Sequence, residues 1–149
     1  MTGATPSGPP GTSPAVLLAV LGRQVEAWVN GSLEQVGLSL RLMGVLGHLA
    51  QQPGLSYTEL AGRARVTPQS VHATVAALIE AGAVAPAGSG RGRRALLEVT
   101  PRGRELLAAG QDVVSAIDAQ LRALGGLPPD QELFRLAVGV SRRGGETVS

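Results

Sequence analysis

Arginine is the residue whose distribution suggests chemistry in this chain. Seven of the thirteen basic residues fall within residues 63–104 (Arg63, Arg65, Arg91, Arg93, Arg94, Arg102 and Arg104), where Glu80 and Glu98 are the opposing acids. This is a local excess of +5 in a chain of formal net charge +2, so the flanks are net acidic. A single basic patch between acidic flanks suits a phosphate backbone, because each neutralised phosphate releases condensed counterions. Arg91, Arg93 and Arg94 sit in Gly88-Ser89-Gly90-Arg91-Gly92-Arg93-Arg94, a tip without apolar side chains. Such a tip can follow a groove wall and place an Arg in the minor groove, where negative potential concentrates. A solvated charged loop is the alternative.

A second group of residues carries hydrogen-bonding rather than charge. Thr67-Pro68 pairs an N-cap with Pro at the first helical position, and Gln69, Ser70, His72, Ala73 and Thr74 follow on that helix. Gln69 and Ser70 fall in the first turn, where side chains reach base edges and Gln can pair bidentately with adenine. His72 is placed for a phosphate or a base, Ala73 for a thymine methyl, and Thr74 and Ala77 for the sugar-phosphate backbone. Arg63 and Arg65 precede the turn and read as phosphate positioners or salt-bridge partners rather than base readers. Ordinary surface solvation of these residues is the competing reading.

Catalytic chemistry finds no such grouping. The chain has no cysteine, hence no disulfide, thiolate nucleophile or thiol redox sensor. His48 and His72 have no carboxylate cluster beside them to complete a metal site. Asp112 and Asp118 lack a second carboxylate placed for acid and base work. The expectation is a non-enzyme without cofactor. No run of 18 uncharged apolar residues and no basic start with an apolar core region occurs, so a cytoplasmic protein with no membrane partner is expected.

The elements that must hold these residues follow from periodicity. Residues 1–14 hold four Pro, three Gly and no charged side chain, and read as a flexible tail. Val16, Leu17, Val20, Leu21, Val25, Trp28 and Val29 trace a first helix up to Asn30-Gly31. Ser39 caps a second, with Leu42, Val45, Leu46 and Leu49 on one face, ending at Gln52-Pro53-Gly54. Ser56-Tyr57-Thr58-Glu59 is a capping-box pattern opening a short third helix to about Arg65. The fourth begins at Thr67-Pro68, buries Val71, Val75, Leu78 and Ile79, and stops at Gly82. Extended segments 83–87 and 95–100 then flank the basic tip as a β-hairpin. Thr100-Pro101 opens a long fifth helix that ends at Gly125-Gly126, and a last helix spans about 129–142.

Two short helices across a tight turn, followed by a hairpin, form a winged helix-turn-helix whose second helix can enter the major groove. Order and charge alone leave open a small helical domain with a surface hairpin. The stretch Leu38 to Leu107 resembles the multiple antibiotic resistance regulator (MarR) family. The resemblance rests on Val45-Leu46 with Leu49, Glu59-Leu60-Ala61, the run Leu78-Ile79-Glu80-Ala81-Gly82-Ala83-Val84, and the wing closing in Leu97-Glu98-Val99-Thr100-Pro101-Arg102-Gly103.

The resemblance implies a mainly α fold, a winged helix-turn-helix with a two-stranded β wing, flanked by N- and C-terminal dimerisation helices. Residues 15–149 would then be one domain, with 38–103 as the DNA-binding core and 15–31 and 104–143 as dimerisation helices. It implies a homodimer that binds a pseudo-palindromic operator in double-stranded DNA, usually as a repressor, and a small aromatic or phenolic effector. Trp28 would lie at the dimer interface or in the cleft beside the winged helix, as packing or as a ligand-stacking surface. Two positions depart from the family. The wing motif Asp-x-Arg falls on Arg91-Gly92-Arg93, and Ala73 stands where a basic side chain is common. A dimeric interaction module without operator recognition is therefore the rival reading.

Overall fold

The computed structural model describes residues 12–87 and 96–146, so the basic tip and the first eleven residues lie outside the described residues. Eight elements follow in order: α1 (Pro14–Glu34), α2 (Leu40–Gln51), α3 (Tyr57–Ala64), α4 (Pro68–Glu80), β1 (Val84–Ala87), β2 (Leu96–Val99), α5 (Pro101–Leu124) and α6 (Asp130–Glu146). The chain divides into two compact units, residues 1–114 and 115–149. Among the described residues, no helix is long and apolar enough to cross a membrane.

The first unit is organised around an aliphatic core. Val45, Leu46 and Leu49 of α2, Leu60 of α3, Val71, Val75 and Leu78 of α4, and Leu97 and Val99 of β2 meet in one buried cluster. Fully burying each such side chain contributes roughly 1.5–3 kcal/mol, so this cluster fixes the mutual placement of α2, α3 and α4. Local signals set the helix starts. Ser39 Oγ accepts from Leu42 N–H (3.2 Å), and Thr67 Oγ1 accepts from Ser70 N–H (3.2 Å). The capping box of α3 is complete: Ser56 Oγ accepts from Glu59 N–H, and Glu59 Oε2 accepts from Ser56 N–H.

Three helix ends share one geometry. After α1, Gly37 has φ 78 and Leu38 N–H donates to Leu33 O (3.0 Å); after α4, Gly82 has φ 73 and Ala83 N–H donates to Leu78 O (2.8 Å). After α3 the left-handed residue is not Gly but Arg65 (φ 51), with Val66 N–H donating to Ala61 O (3.2 Å). Closing a helix with a left-handed residue satisfies its last carbonyls, at a steric cost that glycine alone avoids.

The hairpin pairs β1 and β2 antiparallel, Val84 opposite Val99 and Ala87 opposite Leu96. Leu55 bridges Leu97 on the other side of β2, with Leu97 N–H donating to Leu55 O (3.2 Å). β1 is therefore an outer strand, where Pro86 removes no ladder donor that a neighbour needs.

Three expectations are corrected. α1 does not stop at Asn30-Gly31. A helix-interior Gly costs only about 1 kcal/mol, and burial of Val29 and Leu33 carries the helix on to Glu34. Asn30 instead caps its neighbour, its Oδ1 accepting from Leu40 N–H at 2.8 Å. Pro14, assigned to the tail, is already helical behind the N-cap Ser13. On α4 the buried stripe is Val71, Thr74, Val75 and Leu78, while Ile79 is exposed. At about 100° per residue, Ile79 falls on the edge of that stripe.

In the second unit, α5 ends where Gly125 and Gly126 both adopt positive φ (78 and 77). Arg122 reaches Asp130 at the start of α6 (2.9 Å), an exposed pair that contributes little to stability. Phe134, Leu136 and Val140 of α6 are exposed.

Candidate nucleic-acid interface

α4 turns a defined face away from the core. Opposite the buried stripe lie Gln69, Ala73 and Ala76, all exposed, with His72 exposed on one flank and Ser70 half-buried on the other. Two of these three residues end in a methyl group, which permits close approach to a groove floor and contact with thymine methyls, while exposed Glu80 closes the same line at the last residue of α4. Ala76 belongs to this line although the sequence reading passed over it. Its signal was the spacing Gln69, Ala73, Ala76, the helical partner of the buried spacing Val71, Val75, Leu78.

Thr74 is a correction. It is 5% exposed, and its hydroxyl donates to Ser70 O at 2.8 Å, so it faces the core and is spent on its own helix. A threonine in the buried stripe with its hydroxyl bonded one turn back leaves nothing for a phosphate.

His72 has a neighbour that no sequence pattern announced. Its ring stacks on Tyr57, at the start of α3, with centroids 4.3 Å apart and planes 13° from parallel. Arg63 and Arg65 are exposed and, among the described residues, neither forms an ion pair. Of their two readings, phosphate positioning and salt bridging, the described residues supply no partner for the second. Arg91, Arg93 and Arg94 lie outside the described residues.

Behind this face the carbonyl end of α4 is tied to the start of α5. Thr100 Oγ1 donates to Gly82 O and accepts from Gly103 N–H, while Arg102 Nε donates to Ala81 O at 3.2 Å. Arg102 thus neutralises the negative end of the α4 dipole. The crossing is tight at Gly103, where an added Cβ would lie 2.1 Å from Ala83 O.

Between α2 and α5 runs a groove of about 370 Å³, lined in part by Leu40, Met43, His48, Leu107, Gln111 and Val114. Trp28 is not part of that lining and is 36% exposed, outside the buried core. Val16, Leu17, Leu18, Val20 and Leu21 of α1 are likewise exposed. Among the described residues no group of three or more His, Cys, Asp or Glu could hold a metal ion.

Comparison with known proteins places this geometry. Residues 36–95 match the sequence profile of the MarR family. The HTH-type transcriptional repressor Rv2887 of Mycobacterium tuberculosis is 39% identical over 121 residues, covering 80% of this chain and 87% of the repressor. The crystal structure of Rv2887 in complex with DNA aligns with a TM-score of 0.69 at 34% identity, covering 87% of this chain and 98% of that one. Rv2887 has also been solved with salicylic acid, and that structure aligns with a TM-score of 0.65 at 35% identity over 87% of this chain and 96% of that one.

Proposed function

This chain belongs to the MarR family, and on that premise we propose that it is a homodimeric transcriptional repressor that binds a pseudo-palindromic operator and is released from it by a small aromatic or phenolic ligand. The observation that carries the reading is the outward line Gln69, Ala73 and Ala76 on a capped helix whose opposite face is fixed in the core. A helix so held can lie in the major groove with its first turn toward base edges. His72 and Ser70 flank the line, Arg63 and Arg65 position phosphates beside it, and Arg91, Arg93 and Arg94 reach an adjacent groove. The DNA complex of Rv2887 supports this docking by analogy.

Dimerisation is assigned to residues 15–31 and 104–143, and DNA binding to 38–103, within one working domain. The exposed apolar residues of α1 and α6 support the first assignment, since apolar surface on this scale seeks a partner. The groove between α2 and α5 is the seat we assign to the effector. Its apolar walls accept an aromatic ring, and His48 and Gln111 offer polar contacts. The salicylic acid complex of Rv2887 supports an effector of this class. The reading contains no catalytic step and no cofactor, and it places the protein in the cytoplasm with its DNA.

The test is a mobility shift with the full chain on DNA flanking its own gene, at several stated salt concentrations, with and without salicylate. A footprint of two half-sites about 10 base pairs apart, lost on adding salicylate, is the expected result. Equal binding to all sequences overturns operator recognition and favours an interaction module.

A further inference from the structure

The chain contains one Tyr, one Trp and one Phe, and its buried core is aliphatic. Tyr57 is thus not an aromatic among aromatics. It is half-buried, its body packed against the core cluster, and its ring stacks on the imidazole of His72 on the neighbouring helix. An aliphatic side chain fills a gap in such a core equally well. What the ring adds is a flat platform beneath one particular side chain of the outward face of α4.

We infer that Tyr57 is a positioning residue that presents His72 to the base edges, so that sequence preference at one operator position depends on a residue of α3. The inference rests on the DNA-binding reading above. Stacking consumes the face of the imidazole, while both ring nitrogens lie in its plane and point outward along its edge. Base recognition needs that edge, held in a fixed plane, because hydrogen bonds to base edges are directional. An unsupported His on an exposed flank samples several rotamers and must give them up on binding. An aromatic stack biases the side chain toward one of them by roughly 2- to 10-fold before the DNA arrives. Tyr57 is anchored from behind by the core, so the bias is set by the fold and not by the ligand.

The experiment passes the full chain and four variants, Tyr57→Leu, Tyr57→Phe, His72→Ala and the double variant Tyr57→Leu/His72→Ala, through selection on a random-sequence duplex library. Thermal unfolding and affinity for bulk non-operator DNA are measured in parallel. Leu keeps the apolar packing of position 57 without a ring, and Phe keeps the ring. The expected result is a symmetric consensus for the wild type, with one symmetric pair of positions flattened in His72→Ala. Tyr57→Leu flattens the same pair, losing about 5-fold in discrimination there, as for one directional hydrogen bond. Tyr57→Phe restores it, and the double variant is no worse than His72→Ala. A Tyr57→Leu consensus that keeps the positions lost in His72→Ala overturns the inference, as does a His72→Ala consensus with nothing flattened. A wild type that enriches no sequence overturns the functional reading, and this inference with it.

Discussion

Replacing Arg65 with Gly should make the protein more stable and a poorer DNA binder at once. Arg65 occupies the left-handed position that closes α3 (φ 51, ψ 45), the place that Gly37 and Gly82 fill after α1 and α4. A side chain in that conformation costs about 1–2 kcal/mol. Glycine removes the cost but gives back about 0.4–1 kcal/mol through the greater freedom of the unfolded chain. The net expectation is a gain of about 0.5–1 kcal/mol, a rise of roughly 1.5–3 °C in Tm for a chain of this size. Arg65 is exposed with no ion pair among the described residues, so no folded-state contact opposes the gain. On DNA, one lost phosphate contact per subunit removes about 0.9 from the slope of log affinity against log salt, or about 1.8 for a dimer. Arg65→Ala separates the two effects, because it loses the same charge while keeping the left-handed conformation on a residue with a Cβ. Its salt slope should fall equally with no gain in Tm. Calorimetry and salt-dependent anisotropy on the three proteins measure both quantities. A stabilised Gly variant with an unchanged slope would show that Arg65 touches no phosphate. A destabilised Gly variant would refute the backbone argument itself.

Three further outcomes are expected. Gly103→Ala should destabilise by about 1–3 kcal/mol in urea unfolding, as overpacking typically does, because its Cβ would meet Ala83 O and Val99 Cγ1 at 2.1 and 2.8 Å; a change under about 0.5 kcal/mol would mean the crossing of α5 over Ala83 yields freely. Neutralising Arg91, Arg93 and Arg94 together should lower the DNA salt slope by about 0.9 for each phosphate-bound Arg in each subunit and leave thermal stability within about 0.5 kcal/mol; an unchanged slope excludes the wing from the duplex. Leu17→Asp/Leu21→Asp, on the exposed face of α1, should convert the dimer to a monomer in sedimentation at micromolar concentration, and an intact dimer would move the interface elsewhere.

Where a structural feature is encoded within a few residues, it was readable from the chain. Ser39, Ser56 with Glu59, and Thr67 with Pro68 announce the starts of α2, α3 and α4, because a cap and its acceptors lie within one turn. Gly82 and Gly125-Gly126 announce two ends for the same reason. Asn30-Gly31 misled because its stop signal competes with burial of Val29 and Leu33, which depends on residues beyond α1, and because Asn30 serves the amide of Leu40, ten residues on. Thr74 reads as a surface residue by its polarity, while its helical period puts it in the buried stripe. The Leu55 bridge to Leu97 and the stack of Tyr57 on His72 join residues from separate elements, and no local pattern records them.

The bonds from Thr100 and Arg102 to the carbonyl end of α4 carry a consequence for the genome as well as for the fold. Gly82 sits two residues before β1, so the same anchor pins the reading helix and the base of the hairpin to one point. The two cannot slide apart along the duplex. With α4 and the wing both on the duplex, as proposed above, each half of the operator is expected to be a word of fixed length, with no optional letter between its two parts, whereas the gap between the two words is set by how the subunits join. Inserting one base pair within a half-site should abolish the wing's contribution, and unchanged affinity after such an insertion would show that helix and hairpin move independently.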